Sequence, residues 1–355
     1  MVEKIQFCLY QLIKGNINLK KIDVYSAVGL PLCHDITAMK DGFKGALFKR
    51  GHIIEQKDIP VLLDLGKKTI YVWEDENLIH EDDAAKEIAD ILKTENTVYT
   101  EVSEGKIVML ADCDGMFKLD TELLGAINSV GDITVTTLPN HYPVKKGAKL
   151  ASMRIVPLAT DKAKIEKAKQ LCSGKKAVQL LPYRQLNAGI IITGSEFYTG
   201  RIKDRFEDIA KAKLAKYPCK VIGVEICDDN TDMICKAAEK FIQQKADLIV
   251  FSGGMSVDPD DVTPTAIAQL GAEIVSYGVP SQPGNMTLVA YLGDVALLGV
   301  PGAAVSLPTT VFDVLLPQVF SGEKFTKQQL VNLAQGGLCQ LCSSCHFPNC
   351  TFGRY

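Results

Sequence analysis

The chain has 355 residues, enough for two or three domains with substantial cores. Hydrophobic residues make up 47% and charged residues 23%, the balance of an ordinary soluble globular protein, and the net charge of −3 argues against nucleic-acid binding through bulk charge. The opening stretch MVEKIQFCLYQLIK carries charges within its apolar run and lacks a small-residue cleavage pattern, so no secretory signal is expected and a cytoplasmic location is.

In chain order, residues 1–78 read as a mixed region. DIPVLLDLG (58–66) predicts a short helix ending at Gly66, and KTIYVW (68–73) predicts a strand. Residues 79–178 read as a β-rich middle region. EDDAAKEIADILK (81–93) has Ala85, Ile88, Ala89 and Leu92 on one helical stripe. DITVTTL (132–138) predicts a strand, HYPVKKGAKLASMRIVPL a turn and a strand, and DKAKIEKAKQL an exposed helix before a boundary near Gly174.

From about residue 179 the pattern changes. AGIIIT (188–193) and CKVIGVEI (219–226) are strand-like, as are ADLIVF (246–251) and DVALLGV (294–300). Between them lie helical patterns at 201–217, at 231–245 with Thr231 as cap, and at 262–271 with Pro264 in the first turn and Gly271 at the end. Strand–helix alternation predicts an α/β unit with a parallel-rich sheet and helices on both faces. Residues 295–312 are 18 in number and uncharged, the length of a membrane span. Pro301, Gly302 and Pro308 interrupt them, so they read as strand, turn and helix, and no membrane span is expected.

In such a sheet ligands bind beyond the carboxyl ends of the strands. Four polar segments fall there: TGSE (193–196), CDDN (227–230), SGGMSVDPDD (252–261) and PG (301–302). Gly253 and Gly254 allow close backbone approach, and the amides that follow suit an anion. Ser195, Ser252 and Ser256 supply hydroxyls. Asp228, Asp229, Asp260 and Asp261 are more acid than a plain phosphate site tolerates, which points to Mg²⁺ shared between carboxylates and a phosphorylated ligand. The competing reading is ordinary turn chemistry, with Asp261 capping the helix that begins near Val262.

GGMSVDPDDVTPTAI (253–267), TGSEFYTGRI (193–202) and LLGVPGAAVS (297–306) resemble, in this order, motifs of the molybdopterin-binding domain of molybdenum cofactor biosynthesis, in its molybdopterin molybdenumtransferase branch. The resemblance covers residues 179–322 and implies a three-layer α/β sandwich that binds molybdopterin or its adenylylated form. It implies catalytic carboxylates at Asp261 and at Asp228 or Asp229. It also implies a pterin-phosphate loop at Gly253, Gly254 and Ser256, with Asp258 and Asp260 beside it, an acid contact at Glu196 and a closing loop at Pro301–Gly302. The segment TAMKDGFKG (37–45) only partly follows the transferase motif, and Ala303 stands where the closing loop of the family has Asn. The resemblance therefore leaves three functions open. They are Mg²⁺-dependent molybdenum insertion, nucleotide pyrophosphate hydrolysis, and cofactor carriage or sensing with a molybdoenzyme as partner. A homo-oligomer is expected from the family.

Residues 323–338 predict a helix leading into the last segment, GLCQLCSSCHFPNCTFGRY. Of eleven cysteines, four fall at Cys339, Cys342, Cys345 and Cys350. The spacing C-x2-C-x2-C-x4-C suits a metal, Zn²⁺ in preference to an iron–sulfur cluster, with His346 as an alternative ligand. Little apolar surface surrounds these residues, so the metal itself is expected to order the segment. The other cysteines read as small buried hydrophobes, and His34, His52, His80 and His141 fit no motif.

Overall fold

A computed structural model describes residues 20–40, 43–72, 77–256, 258–259 and 261–354. Candidate Asp260 and the strand-like Trp73 lie outside the described residues.

The first region holds a hairpin of Ile36–Lys40 with Phe43–Phe48, a pair formed by Lys20–Asp23 and Thr69–Val72, and the expected helix at Asp58–Asp64. The middle region is built on a four-stranded antiparallel sheet containing Lys106–Ala111, Ile133–Thr137 and Lys149–Ile155. Helix Glu81–Ile91 forms where its periodicity predicts, and Lys162–Leu171 forms in the charged stretch; the latter, expected to be exposed, nevertheless buries Ile165 and Ala168 in the core of this region. The strand Val178–Pro182 pairs with Gly115–Leu119, so it completes the middle region and the α/β unit starts after it.

That unit contains strands β1 (Leu186–Thr193), β2 (Cys219–Cys227), β3 (Leu248–Ser252), β4 (Glu273–Tyr277), β5 (Leu288–Leu292) and β6 (Val295–Val300). Their order is β2-β1-β3-β6-β5-β4; the first four are parallel, β5 pairs antiparallel with β6, and β4 pairs antiparallel with β5 and so runs in the direction of the first four. The helices are α1 (Ser195–Tyr198), α2 (Phe206–Leu214), α3 (Thr231–Gln243), α4 (Thr263–Gln269), α5 (Ala303–Ser306), α6 (Val311–Ser321) and α7 (Lys327–Asn332).

The period of two along each strand divides its apolar run between two cores. Ile190, Ile192 and Val250 join Phe206 of α2 and Phe312 of α6 on one face. Ile191, Ile249 and Phe251 join Ile234 of α3 and Ile267 of α4 on the other. A continuous apolar run is thus what a strand buried on both faces requires. Gly189 and Gly223 make room for Phe241: a Cβ at either would stand 2.5 or 2.7 Å from its ring. The three layers expected from the sequence are therefore present.

Local boundaries differ for identifiable reasons. The 201–217 helix begins only at Phe206, where the Asp204 carboxylate accepts the Phe206 and Glu207 amides at 3.0 and 2.8 Å. The side chain capping α3 is Asn230, which accepts the Met233 amide at 3.0 Å, rather than Thr231. The 323–338 helix shrinks to α7, started by the Thr326 and Gln329 capping box. Residues 295–312 form β6, α5 and the start of α6, and among the described residues no helix is long and apolar enough to cross a membrane.

Candidate functional site

The four parallel strands stand side by side, so the loops after β2, β1, β3 and β6 occupy one rim in that order. Three inter-strand spacings separate the outer two, about 14 Å. A ligand touching all four loops has to be elongated.

Threonines join the loops at their base. Buried Thr193, the last residue of β1, donates to the Ser252 carbonyl at 3.3 Å and lies 3.1 Å from Thr263 Oγ1. Thr263 donates in turn to the Gly253 carbonyl at 3.0 Å. The glycine pair sits against this knot. Gly253 has φ +93°, and a Cβ there would lie 2.1 Å from the Thr193 carbonyl oxygen. Gly254 has φ +54°, and its Cβ would meet Thr263 Oγ1 at 2.7 Å. Both glycines are thus demanded by the fold as well as suited to an anion. Ser252 is buried behind them, whereas Ser256 and Asp258 are exposed.

Ser195, at the start of α1, gathers the acids of the neighbouring loop. Its hydroxyl donates to Asp228 at 2.5 Å and lies 3.1 Å from Asp229, while its amide donates to Asp229 at 2.9 Å. The Asp228 carboxyl is held below its ordinary value, first by the Ser195 hydroxyl and then by the Asp229 amide. It therefore stays ionised and able to take a cation. Glu196 is half-buried beside Gly194, with its carboxylate 3.0 Å from where a Cβ on that glycine would stand.

Asp261 does not cap α4. The residue before that helix is Val262, with no side-chain cap bond. Instead the Asp261 carboxylate accepts the Asp258 amide at 3.0 Å, and the Asp261 amide donates to the Asp258 carbonyl at 3.0 Å, closing the acidic turn on itself. Tyr277 of β4 clasps the same loop, its hydroxyl 2.9 Å from the Met255 carbonyl and 3.0 Å from that of Ser256. Burial, and then the charge of Asp261, raise the Tyr277 pKa, which keeps the hydroxyl a donor. At the far end of the rim Gly302 has φ −54° and ψ −20°, with nothing within 4 Å of a Cβ built on it. Here the fold has no need of glycine.

The structure thus brings Ser195, Asp228 and Asp229 together, and separately Asp258 with Asp261. Thr193, Thr263 and Tyr277 organise the rim without standing out in the sequence. Among the described residues no three His, Cys, Asp or Glu side chains are grouped to hold a metal ion. Mg²⁺ does not need such a group, since it is commonly held by one or two carboxylates, waters and substrate phosphates.

Residues 189–321 match the family model described as a probable molybdopterin binding domain. These residues belong to the molybdopterin-binding domain family. The match begins in β1 and ends with α6, so it takes in all four loops of the rim. Residues 21–74 match a domain of unknown function. The molybdopterin molybdenumtransferase of Haemophilus influenzae is 31% identical over 157 residues, which are 41% of this chain and 38% of that protein. A CinA-like protein of Mycobacterium tuberculosis is 36% identical over 89 residues, 25% of this chain and 21% of that one. The chain thus spans well under half the length of either relative. The tungsten cofactor synthesizing protein MoaB of Pyrococcus furiosus is 19% identical, with a TM-score of 0.34, over 39% of this chain and 94% of that structure.

Cys339, Cys342, Cys345 and Cys350 all line one cavity of about 170 Å³. Its protein wall includes Leu307, Pro308 and Thr309, the residues that follow α5. This stretch is held from beneath by a buried ion pair. Lys213 of α2 reaches both Asp313 oxygens, at 2.7 and 2.6 Å, and the Pro308 carbonyl at 2.9 Å.

Proposed function

We propose that the rim of the molybdopterin-binding domain binds molybdopterin or its adenylylated form, and that the protein takes part in molybdenum cofactor biosynthesis by inserting molybdenum. The observation that carries this reading is that the family match over residues 189–321 coincides with the four-loop rim. The terminal phosphate would sit against the amides of the Gly253–Ser256 turn, where positive φ at two successive residues exposes backbone N–H groups. Asp228 and Asp229, or Asp261, would hold Mg²⁺, which offsets phosphate charge during the transfer. Ser195 would keep the first pair of carboxylates aligned, and Tyr277 would keep the phosphate loop closed. Glu196 and the Pro301–Gly302 turn would contact the remainder of an elongated ligand.

The test is incubation of the full chain with molybdopterin, molybdate and Mg²⁺, followed by assay of metal insertion and, separately, of binding. Insertion supports the reading in full. Binding without turnover would replace insertion with cofactor carriage, a reading favoured by Ala303 in the closing loop. Failure to bind either pterin form would refute the proposal.

A further inference from the structure

Two groups contrast among the described cysteines. Cys33, Cys219 and Cys227 are buried or half-buried, and burial pushes their thiols up to about 11. They behave as small apolar side chains. Cys342, Cys345 and Cys350 are exposed and Cys339 is half-buried, all four as free thiols within twelve residues. Free cysteine is ordinarily among the most buried of residues, so packing does not account for this set.

The segment that carries them is closed by the protein itself. The Gly353 amide donates to the Gly336 carbonyl at 2.9 Å, joining the two ends of a loop that contains every one of the four. Both glycines have positive φ; a Cβ at Gly336 would lie 2.1 Å from the Arg354 carbonyl oxygen, and one at Gly353 would lie 2.6 Å from Val314. On one side the Cys339 amide donates to the Gln282 carbonyl at 2.9 Å. On the other, Phe352 is only 2% exposed, and the Arg354 guanidinium lies 4.4 Å above the Tyr142 ring and donates to the Pro348 carbonyl at 2.9 Å. Midway, Cys345 Sγ lies 3.1 Å from Thr309 Oγ1. The sequence suggested that a metal alone would order this segment; the anchors show that its ends are fixed by packing against the rest of the chain.

We propose that Cys339, Cys342, Cys345 and Cys350 bind one Zn²⁺ inside this closed loop, against Thr309 of the molybdopterin-binding domain. The spacing, the accessible thiols and their shared cavity all fit a soft cation with Zn–S distances of about 2.3 Å. No three of the thiols are within coordinating reach of one another as the loop stands, so binding requires them to turn inward. The inference rests on the cysteine spacing and their shared cavity and does not depend on the pterin reading.

The experiment is elemental analysis of the full chain purified without oxygen, with Co²⁺ titration of the metal-stripped protein. The expected result is one zinc per chain and the charge-transfer and ligand-field bands of tetrahedral cobalt–thiolate. Cys342→Ser and Cys350→Ser should each weaken zinc binding by more than roughly tenfold, the least that loss of an outer-shell partner costs, while circular dichroism stays unchanged. Stoichiometric iron with acid-labile sulfide would overturn the assignment. So would absence of bound metal together with absence of the cobalt–thiolate bands, or zinc retained undiminished in both variants.

Discussion

Lys213→Met provides a sharp test of how the segment behind the rim is held. The Lys213 and Asp313 side chains are each 7% exposed and lie 2.6 Å apart at their closest. Removing the ammonium leaves the Asp313 carboxylate buried with, among the described residues, the Thr310 amide at 2.9 Å as its remaining donor. Breaking a buried pair in this way costs about 3–5 kcal/mol, because the remaining charge is uncompensated. For a cooperative unit of roughly 150–250 residues each kcal/mol moves Tm by about 2–4 °C, so the expected fall is about 6–20 °C. The assay is thermal unfolding of the variant beside Lys213→Met/Asp313→Asn. The double variant removes both charges and keeps an oxygen that can accept the Thr310 amide, so it should recover most of the loss. High salt should change neither result much, since buried pairs are poorly screened. A single variant within about 2 °C of the parent, or a double variant no better than the single, would refute the reasoning.

Three further outcomes follow from the geometry. Asp261→Asn keeps an acceptor for the Asp258 amide and removes the charge, so Mg²⁺-dependent binding of molybdopterin should fall at least tenfold with little change in Tm; unchanged affinity by calorimetric titration would make Asp261 a turn residue only. Tyr277→Phe removes the hydroxyl shared by the Met255 and Ser256 carbonyls, which should cost about 0.5–1.5 kcal/mol in denaturant unfolding and weaken molybdopterin binding by loosening the loop. His141 is lowered from 6.5 to about 4, first by burial, with Glu323 opposing and Lys118 and Arg354 adding to the effect. Its contribution is complete above pH 6.5 and is lost as pH falls through about 4; the gap corresponds to about 3 kcal/mol. Stability measured across that window should rise with pH, and His141→Gln should flatten the slope.

The parallel half of the sheet was legible because β1, β3 and β6, buried on both faces, are written as short apolar runs, and half-buried β2 at one edge still carries CKVIGVEI. At the rim these runs give way to Gly194, Asp228, Gly253 and the Pro301–Gly302 pair. Strand β4 was not legible because Glu273 and Ser276 break up its few apolar residues. It lies at the sheet edge with Glu273, Ile274 and Tyr277 exposed. Tyr277 reaches the glycine–acid loop across 22 residues, to the Met255 carbonyl, and no local pattern marks that approach. Lys213 looks like any solvated helical lysine until Asp313, 100 residues on, is placed beside it. The acids were found by type, but their grouping was not. Ser195 organises Asp228 and Asp229 across two loops, whereas Asp261 folds back within its own. The cysteines were visible through spacing alone, while the closure of their loop rests on glycine conformations and on Arg354 crossing to Tyr142 of the middle region.

The contrast between the glycines of the rim also separates two quantities that mutagenesis usually confounds. At Gly253 any side chain strikes the Thr193 backbone, so a substitution reports on folding whatever it does to a ligand. Gly302 has ordinary helical angles and open space around it, so an alanine, serine or valine there leaves the folded chain undisturbed. A graded series at this one position therefore works as a ruler laid against the bound molecule. The side chain size at which affinity begins to fall measures how closely the ligand approaches the end of β6.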